Sequence, residues 1–92
     1  MIECREAVLI VNKRGLHARA SAKFVNNVAE LPPGVTVIVS KDGASASGNS
    51  ILGLMMLGAA KGDTIEIGCS GNGAENALAA LSTLVRDGFG EE

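Results

Sequence analysis

The apolar residues of this chain fall into seven short segments, and their spacing alternates between strand-like and helix-like patterns. Strand-like spacing covers residues 3–11, 35–40, 44–48 and 64–69, and helix-like spacing covers residues 17–30, 51–57 and 77–85. Turn signals separate the segments, among them Pro32-Pro33-Gly34 and the type I′ hairpin signal Asp42-Gly43. The order β-α-β-β-α-β-α predicts an α+β fold. This is a two-layer open-faced sandwich in which a four-stranded antiparallel sheet is covered on one face by three helices.

Length and composition limit the classes of function. The 92 residues predict a single domain, 1–92, and an apolar content of 47% is enough for one core. Because the chain has two Phe and no Trp or Tyr, the core must be aliphatic, and few aromatic rings remain for stacking on bases. The net charge of −2 is also unlike that of a general nucleic-acid binder. We therefore expect no nucleic acid among the partners.

Other site types lack the residues they need. Glycines interrupt the longest apolar run, Ile51–Ala60, so no segment could span a membrane. The first six residues carry charges, unlike a signal peptide. One histidine and two distant cysteines, Cys4 and Cys69, make neither a metal site nor a disulfide framework, and the glycines spell no nucleotide-binding fingerprint. We expect a cytoplasmic protein with no membrane insertion, no metal and no cofactor.

The patterns also assign individual positions. Six residues of the first and last strands are expected to face the core: Cys4, Val8, Ile10, Ile65, Ile67 and Cys69. Ser50 stands where the N-cap of the second helix should be. Gly88 should end the last helix, and the tail Phe89–Glu92 is expected to be frayed.

The single histidine lies at a predicted helix start inside a basic region. The start is placed near His17 by apolar residues at helical spacing: Ala18, Ala22, Val25 and Ala29. Four of the eight Lys and Arg residues lie around it: Lys13, Arg14, Arg19 and Lys23. A helix N-terminus presents free N–H groups and the positive end of the macrodipole, so it favours an anion. The arrangement suits a phosphorylated histidine, although a histidine at a helix start is by itself more often an ordinary surface residue.

Two motifs resemble the HPr family. They are Gly15-Leu16-His17-Ala18-Arg19 and Asn49-Ser50-Ile51-Leu52-Gly53-Leu54-Met55-Met56-Leu57-Gly58-Ala59-Ala60-Lys61-Gly62. They occur in the expected order and separation, and the resemblance covers essentially the whole chain. HPr is the histidine phosphocarrier protein of the phosphoenolpyruvate-dependent phosphotransferase system. The resemblance implies a carrier, not an enzyme, in which His17 takes a phosphoryl group on Nδ1 from enzyme I and passes it to an enzyme IIA-type protein.

The resemblance also implies roles for neighbouring residues. The backbone N–H groups of Ala18 and Arg19 and the guanidinium of Arg19 would hold the phosphoryl oxygens. The family's docking patch for partners corresponds here to four apolar residues: Leu16, Ile51, Leu52 and Met55. Ser50 matches a serine that an HPr kinase/phosphorylase modifies in some members, although a plain N-cap explains it equally well. The family usually has proline where this chain has Ala20, and we expect carrier activity with a slightly looser loop.

Further expectations follow from the same resemblance. HPr-like proteins place the first and last strands side by side, which would bring Cys4 near Cys69. We expect both to remain thiols, because a bridge between adjacent strands fits disulfide geometry poorly. We expect a monomer. The tail Asp87–Glu92 and the Asn49-Ser50 helix start look closer to the nitrogen-related, regulatory branch of the family than to its sugar-transport forms.

Two alternatives to the carrier remain open. One is a regulatory homologue that acts mainly by binding partners and is switched at Ser50. The intact histidine motif argues against a loss of the carrier role. The other is a small phosphatase-like domain, which would need a base, a nucleophile pair or a metal site that the sequence does not offer.

Overall fold

The computed structural model describes residues 3–91, and the described chain forms four strands and three helices in the predicted order. They are β1 (Cys4–Leu9), α1 (Ala18–Ala29), β2 (Thr36–Lys41), β3 (Ala44–Ser47), α2 (Ile51–Met56), β4 (Thr64–Ser70) and α3 (Ala74–Arg86). None of the helices in residues 3–91 is long and apolar enough to cross a membrane.

The strands form one antiparallel sheet in the order β1-β4-β2-β3, with β1 and β3 at its edges. The β2–β3 hairpin turns at Asp42 and Gly43, whose φ angles of 51° and 85° are both positive. Two positive φ angles at the central positions are the mark of a type I′ turn, so the predicted hairpin is confirmed. The short β3, built of Ala and Ser, lies at one edge of the sheet.

The helices cover one face of the sheet, as predicted. α3 packs on β1 and β4, and α1 contacts both α2 and α3. The covered face contributes apolar residues that are at least 96% buried: Val8, Val37, Val39, Ile65, Ile67 and Cys69. The opposite face is open, and on it Leu9 is 51% exposed. The fold is therefore the two-layer open-faced sandwich expected from the element order.

Both predicted helix starts carry a side-chain cap. His17 caps α1, and its imidazole accepts the backbone N–H of Arg19. Ser50 caps α2, and its Oγ accepts the backbone N–H of Gly53 at 2.9 Å. The cap on α1 matters most here, because it fixes the histidine side chain against the helix end.

The chain beyond α3 corrects one expectation. The tail was predicted to be frayed, but Gly88–Gly90 form a short 3-10 helix, and Phe89 is only 1% exposed. Burial of this large ring supplies the driving force that the sequence pattern did not reveal. We call Gly88–Glu91 the C-terminal strap; Glu92 lies outside the described residues.

The two cysteines face each other across β1 and β4, as the family resemblance implied, and both are thiols. Cys69 is fully buried, whereas Cys4 is half-buried. Burial, together with the neighbouring Cys4, raises the pKa of the Cys69 thiol to about 11. Since the thiolate is the reactive form, Cys69 should be chemically inert in the folded protein.

We predict that iodoacetamide at mildly alkaline pH labels Cys4 well before Cys69 in the native protein. The reason is the difference in exposure, reinforced by the raised pKa of Cys69. Peptide mapping after timed quenching measures the two rates. The same reaction in denaturant is the control, where the rates should become similar. Equal labelling of both thiols in the native protein would contradict the burial of Cys69.

Candidate functional site

The imidazole of His17 lies at the start of α1 with both ring nitrogens engaged. Nδ1 accepts the backbone N–H of Arg19 at 3.3 Å, and Nε2 lies 2.7 Å from Oε2 of Glu91. A backbone N–H can only donate and an ionised carboxylate can only accept. The two contacts together therefore select the neutral tautomer that carries its proton on Nε2 and a lone pair on Nδ1.

The carboxylate of Glu91 is itself held in place. Its Oε1 accepts Nδ2 of Asn12 at 3.0 Å, and its side chain is 16% exposed. Burial raises the pKa of the Glu91 carboxyl, but the hydrogen bonds from Asn12 and His17 and the positive charge of Lys23 lower it by more. The net effect is a pKa below the usual value, so Glu91 is ionised at neutral pH.

Asn12 links the strap to the loop before α1. It is only 6% exposed, and its Nδ2 donates to the carbonyl of Gly15 at 2.9 Å as well as to Glu91. Its Oδ1 is the one buried side-chain polar atom in residues 3–91 that has no hydrogen-bond partner. The amide orientation follows from its two acceptors, because a flipped amide would point its oxygen at Glu91 and Gly15.

The imidazole opens into a small basic pocket of about 350 Å³. Seven residues line it: Lys13, Arg14, His17, Arg19, Lys23, Gly90 and Glu91. Lys23 also donates to the carbonyl of Phe89 at 2.6 Å, which ties α1 to the strap. Within residues 3–91, the Arg19 guanidinium makes no hydrogen bond or ion pair. The pocket can therefore bind a small anion beside Nδ1.

A larger hollow of about 720 Å³ lies at the other end of β1, near the start of α3. It is lined by Glu3 and Glu75 together with small and amide side chains, and no Lys, Arg or His is among its lining residues. Such a hollow would repel a phosphate. In the described part of the chain, no three His, Cys, Asp or Glu side chains are grouped to hold a metal ion.

The structure brings together most, but not all, of the residues predicted for the site. The pocket brings together the predicted basic and histidine side chains, namely Lys13, Arg14, His17, Arg19 and Lys23. Leu16, by contrast, is buried, with only 4% of its surface exposed. Leu16 was assigned to the docking patch, and its burial corrects that assignment. The strand-to-helix loop turns it inward, and its N–H donates to the carbonyl of Ala59 at 3.0 Å. Its apolar side chain packs in the core instead.

The other predicted docking residues lie on the surface. Ile51 and Met55 are 41% and 40% exposed, Leu52 is 68% exposed, and their neighbour Met56 reaches 77%. Leu54, on the other side of α2, is fully buried. We call Ile51, Leu52, Met55 and Met56 the α2 patch. A one-turn-and-a-half helix cannot bury all its apolar residues, and this one turns four of them outward.

The α2 patch is structurally coupled to the histidine loop. Gly15, with a φ of 61°, packs against the chain just after α2, and a Cβ at this position would collide with the carbonyl of Ala59. Only glycine tolerates both the positive φ and this close approach. The loop that ends at His17 is therefore fastened to the segment that follows the patch.

Sequence reasoning missed two members of the site, Asn12 and Glu91. Asn12 had a weak signal, being a polar residue directly after an apolar strand. Glu91 had none, because 74 positions separate it from His17 and it lies in a tail rich in glycine and acid. Its place depends on the burial of Phe89, a tertiary contact that no local pattern encodes.

Comparison with known proteins agrees with this geometry. A family model described as "PTS HPr component phosphorylation site" matches residues 4–87. "Phosphocarrier protein HPr" of Neisseria meningitidis is 42% identical over 87 residues, which cover 95% of this chain and 96% of that protein. "Phosphocarrier protein NPr" of Escherichia coli is 36% identical over 88 residues, which cover 96% of this chain and 97% of that protein.

Solved structures give the same answer for the fold. An HPr from Thermoanaerobacter tengcongensis superposes with a TM-score of 0.89 at 35% identity, covering 97% of this chain and 98% of that one. A phosphocarrier protein HPr from Bacillus anthracis gives a TM-score of 0.83 at 34% identity, covering 89% and 95%. With its fold, its histidine-bearing loop and nearly its full length matched, the chain belongs to the HPr family of the phosphotransferase system.

Proposed function

We propose that this protein is a phosphoryl carrier that accepts a phosphoryl group on Nδ1 of His17 from phospho-enzyme I and passes it to an enzyme IIA-type protein. The observation that carries the proposal is the lone pair of Nδ1, held at the first turn of α1 beside a basic pocket. Relatives covering nearly the full chain are named phosphocarrier proteins. The proposed setting is the cytoplasm, with the protein acting as a monomer.

The transfer uses the groups already around Nδ1. The Nδ1 lone pair forms a bond to phosphorus while the N–P bond of the donor imidazole breaks, and that electron pair stays on the donor nitrogen. The incoming oxygens can take over the N–H of Arg19, which Nδ1 now occupies, and the N–H of Ala18. The guanidinium of Arg19 adds a charge-assisted contact. None of these donors encloses the group, which suits a carrier that must also release it.

Partner docking is proposed for the α2 patch. Its four apolar side chains are exposed, and the two Met residues are flexible enough to adapt to more than one partner. The contact between Gly15 and Ala59 joins the His17 loop to the segment that follows the patch. A partner seated on the patch would thus lie beside the phosphoryl site.

Regulation at Ser50 is a further proposal, and it depends on the docking surface. The Oγ of Ser50 caps α2, and the residue is half-buried at the edge of the α2 patch. Phosphorylation by an HPr kinase/phosphorylase would add negative charge at a helix start, which is electrostatically favourable, but beside an apolar surface that a partner must cover. Capping alone also explains this serine, so the test must measure docking and not only stability.

A regulatory homologue that binds partners without carrying phosphoryl groups is the competing function. It needs the α2 patch but not the lone pair of Nδ1. Assignment to the nitrogen-related branch also stays a prediction, because relatives of both names match the chain. Phosphorylation of the protein by phosphoenolpyruvate and enzyme I separates carrier from binder.

We predict that His17→Ala abolishes the acid-labile phosphoryl group acquired from enzyme I, because no other imidazole exists in the chain. Intact-mass measurement before and after acid treatment follows it. His17→Asn is the matched control, since Asn can cap α1 yet cannot form a phosphohistidine. Both variants should stay folded, with Asn closer to wild type in melting temperature. Acid-labile labelling of the Ala variant would refute the assignment of His17.

Arg19→Ala should slow transfer without preventing it, because the backbone donors at the start of α1 remain. Loss of one charge-assisted contact of about 1.5–3 kcal/mol corresponds to a rate lower by about 10- to 160-fold. Rapid-quench kinetics with phospho-enzyme I give the rate. Arg5→Ala removes the same charge from an exposed position on β1 and should leave it unchanged. An unaltered rate for Arg19→Ala would mean that the guanidinium does not touch the phosphoryl group.

Leu52→Glu should weaken docking to enzyme I, because it places a charge at the centre of the α2 patch. Ser50→Asp should weaken it as well, with little change in melting temperature. Calorimetric titration against enzyme I measures both affinities. Leu9→Glu is the matched control, an exposed leucine given the same change on the open face of the sheet. If Leu52→Glu binds like wild type, α2 is not the docking surface and the regulatory case for Ser50 falls too.

A further inference from the structure

The conformation of the C-terminal strap places the Glu91 carboxylate against the imidazole of His17. Gly88, Phe89 and Gly90 all have positive φ angles, of 64°, 59° and 73°, so the chain curls sharply after α3. Phe89 adopts this unfavourable conformation in spite of its Cβ, and the burial of its ring offsets the strain. The contact from Lys23 to the Phe89 carbonyl fixes the curl against α1. The next residue along is Glu91.

Both carboxylate oxygens of Glu91 are used at the site. One accepts the buried amide of Asn12 at 3.0 Å, and the other accepts Nε2–H of His17 at 2.7 Å. The Asn12 contact fixes the position of the carboxylate, and the His17 contact fixes the proton of the ring. Glu91 therefore contacts the nitrogen opposite the one that attacks phosphorus, and it also lines the basic pocket beside the ring.

We propose that Glu91 is a positioning residue that stabilises the phosphorylated form of His17. The inference rests on the proposed carrier function. When Nδ1 of the Nε2–H tautomer bonds to phosphorus, the proton on Nε2 stays and the ring becomes a cation, so no proton has to leave. The Glu91 carboxylate then faces a positive ring through a hydrogen bond that has become charge-assisted on both sides. On release of the phosphoryl group, the N–P bond breaks and the neutral Nε2–H ring returns.

The negative charge of Glu91 also repels the phosphoryl group, and the geometry decides which effect is larger. The carboxylate is 2.7 Å from Nε2, whereas the phosphoryl group bonds to Nδ1 on the other side of the ring. Attraction to the ring cation acts over the shorter distance, and Lys23 lies on the pocket wall between strap and helix to moderate the repulsion. Glu91 should therefore favour the phosphorylated state overall.

Glu91→Gln tests this with minimal change in shape. Its amide cannot satisfy both Asn12 Nδ2 and His17 Nε2–H as acceptors, and it carries no charge. We expect the equilibrium constant for phosphoryl exchange with phospho-enzyme I to fall by about tenfold or more, as for the loss of a charge-assisted hydrogen bond. Equal concentrations of the two proteins are brought to equilibrium, and intact mass gives the phosphorylated fraction. A purely structural role would not move this constant.

A second readout needs no partner. The single histidine gives one set of ring signals in a 15N-labelled sample, and the Nε2–H proton should be slowly exchanging in the wild type and lost or fast-exchanging in Glu91→Gln. Glu75→Gln, which removes one charge from the exposed first turn of α3, should match wild type in both measurements. Melting temperatures of all three proteins establish that the fold is retained.

The outcomes separate the two proposals. If the wild type takes up no phosphoryl group, the carrier function fails and this inference with it. If the wild type is phosphorylated and Glu91→Gln has the same equilibrium constant, the inference alone falls. A larger phosphorylated fraction in Glu91→Gln would overturn it in the other direction, because Glu91 would then oppose phosphorylation through repulsion.

Discussion

The arrangement of this site depends on one imidazole that is hydrogen-bonded on both nitrogens. A backbone N–H at the start of α1 takes the lone pair of Nδ1, and the carboxylate of Glu91 takes the proton of Nε2. A histidine held by either contact alone could rotate about its side-chain bonds or exchange tautomers. Held by both, it presents one defined nitrogen to the basic pocket. The Gly15 turn and the C-terminal strap bring these two partners to the ring.

The two contacts have different structural origins. The N–H of Arg19 is local, since any residue at the N-cap meets the first free donors of its own helix. The Glu91 carboxylate is remote and needs a folded core, because α3 must pack on β1 and β4 before Phe89 can be buried. A disturbed strap should therefore weaken the hydrogen bond at Nε2 of His17 and leave the helix cap at Nδ1 intact.

This division explains how much the sequence could predict. Short sequence patterns with strong local preferences predict four features, and the structure agrees with each. They are the order of the strands and helices, the type of the β2–β3 hairpin, the Ser50 cap and the placement of His17 at a helix start. The errors concern burial that only tertiary packing decides. Leu16 is apolar and next to the histidine, yet the loop turns it into the core. The tail is glycine-rich and acidic, which favours fraying, but a single buried ring holds it. Glu91 could not be assigned without that ring.

The close approach of Gly15 to Ala59 links the two surfaces that a carrier has to use together. The α2 patch ends just before Ala59, and the Ala59 carbonyl accepts the N–H of Leu16, the residue preceding His17. A backbone hydrogen bond at 3.0 Å and a contact too tight for any side chain leave little room for relative motion. The His17 loop and the chain that follows the apolar patch are therefore fastened together. If partners dock on the patch as proposed, they would meet Nδ1 close to this fastened loop, so docking energy would help to orient the phosphoryl group.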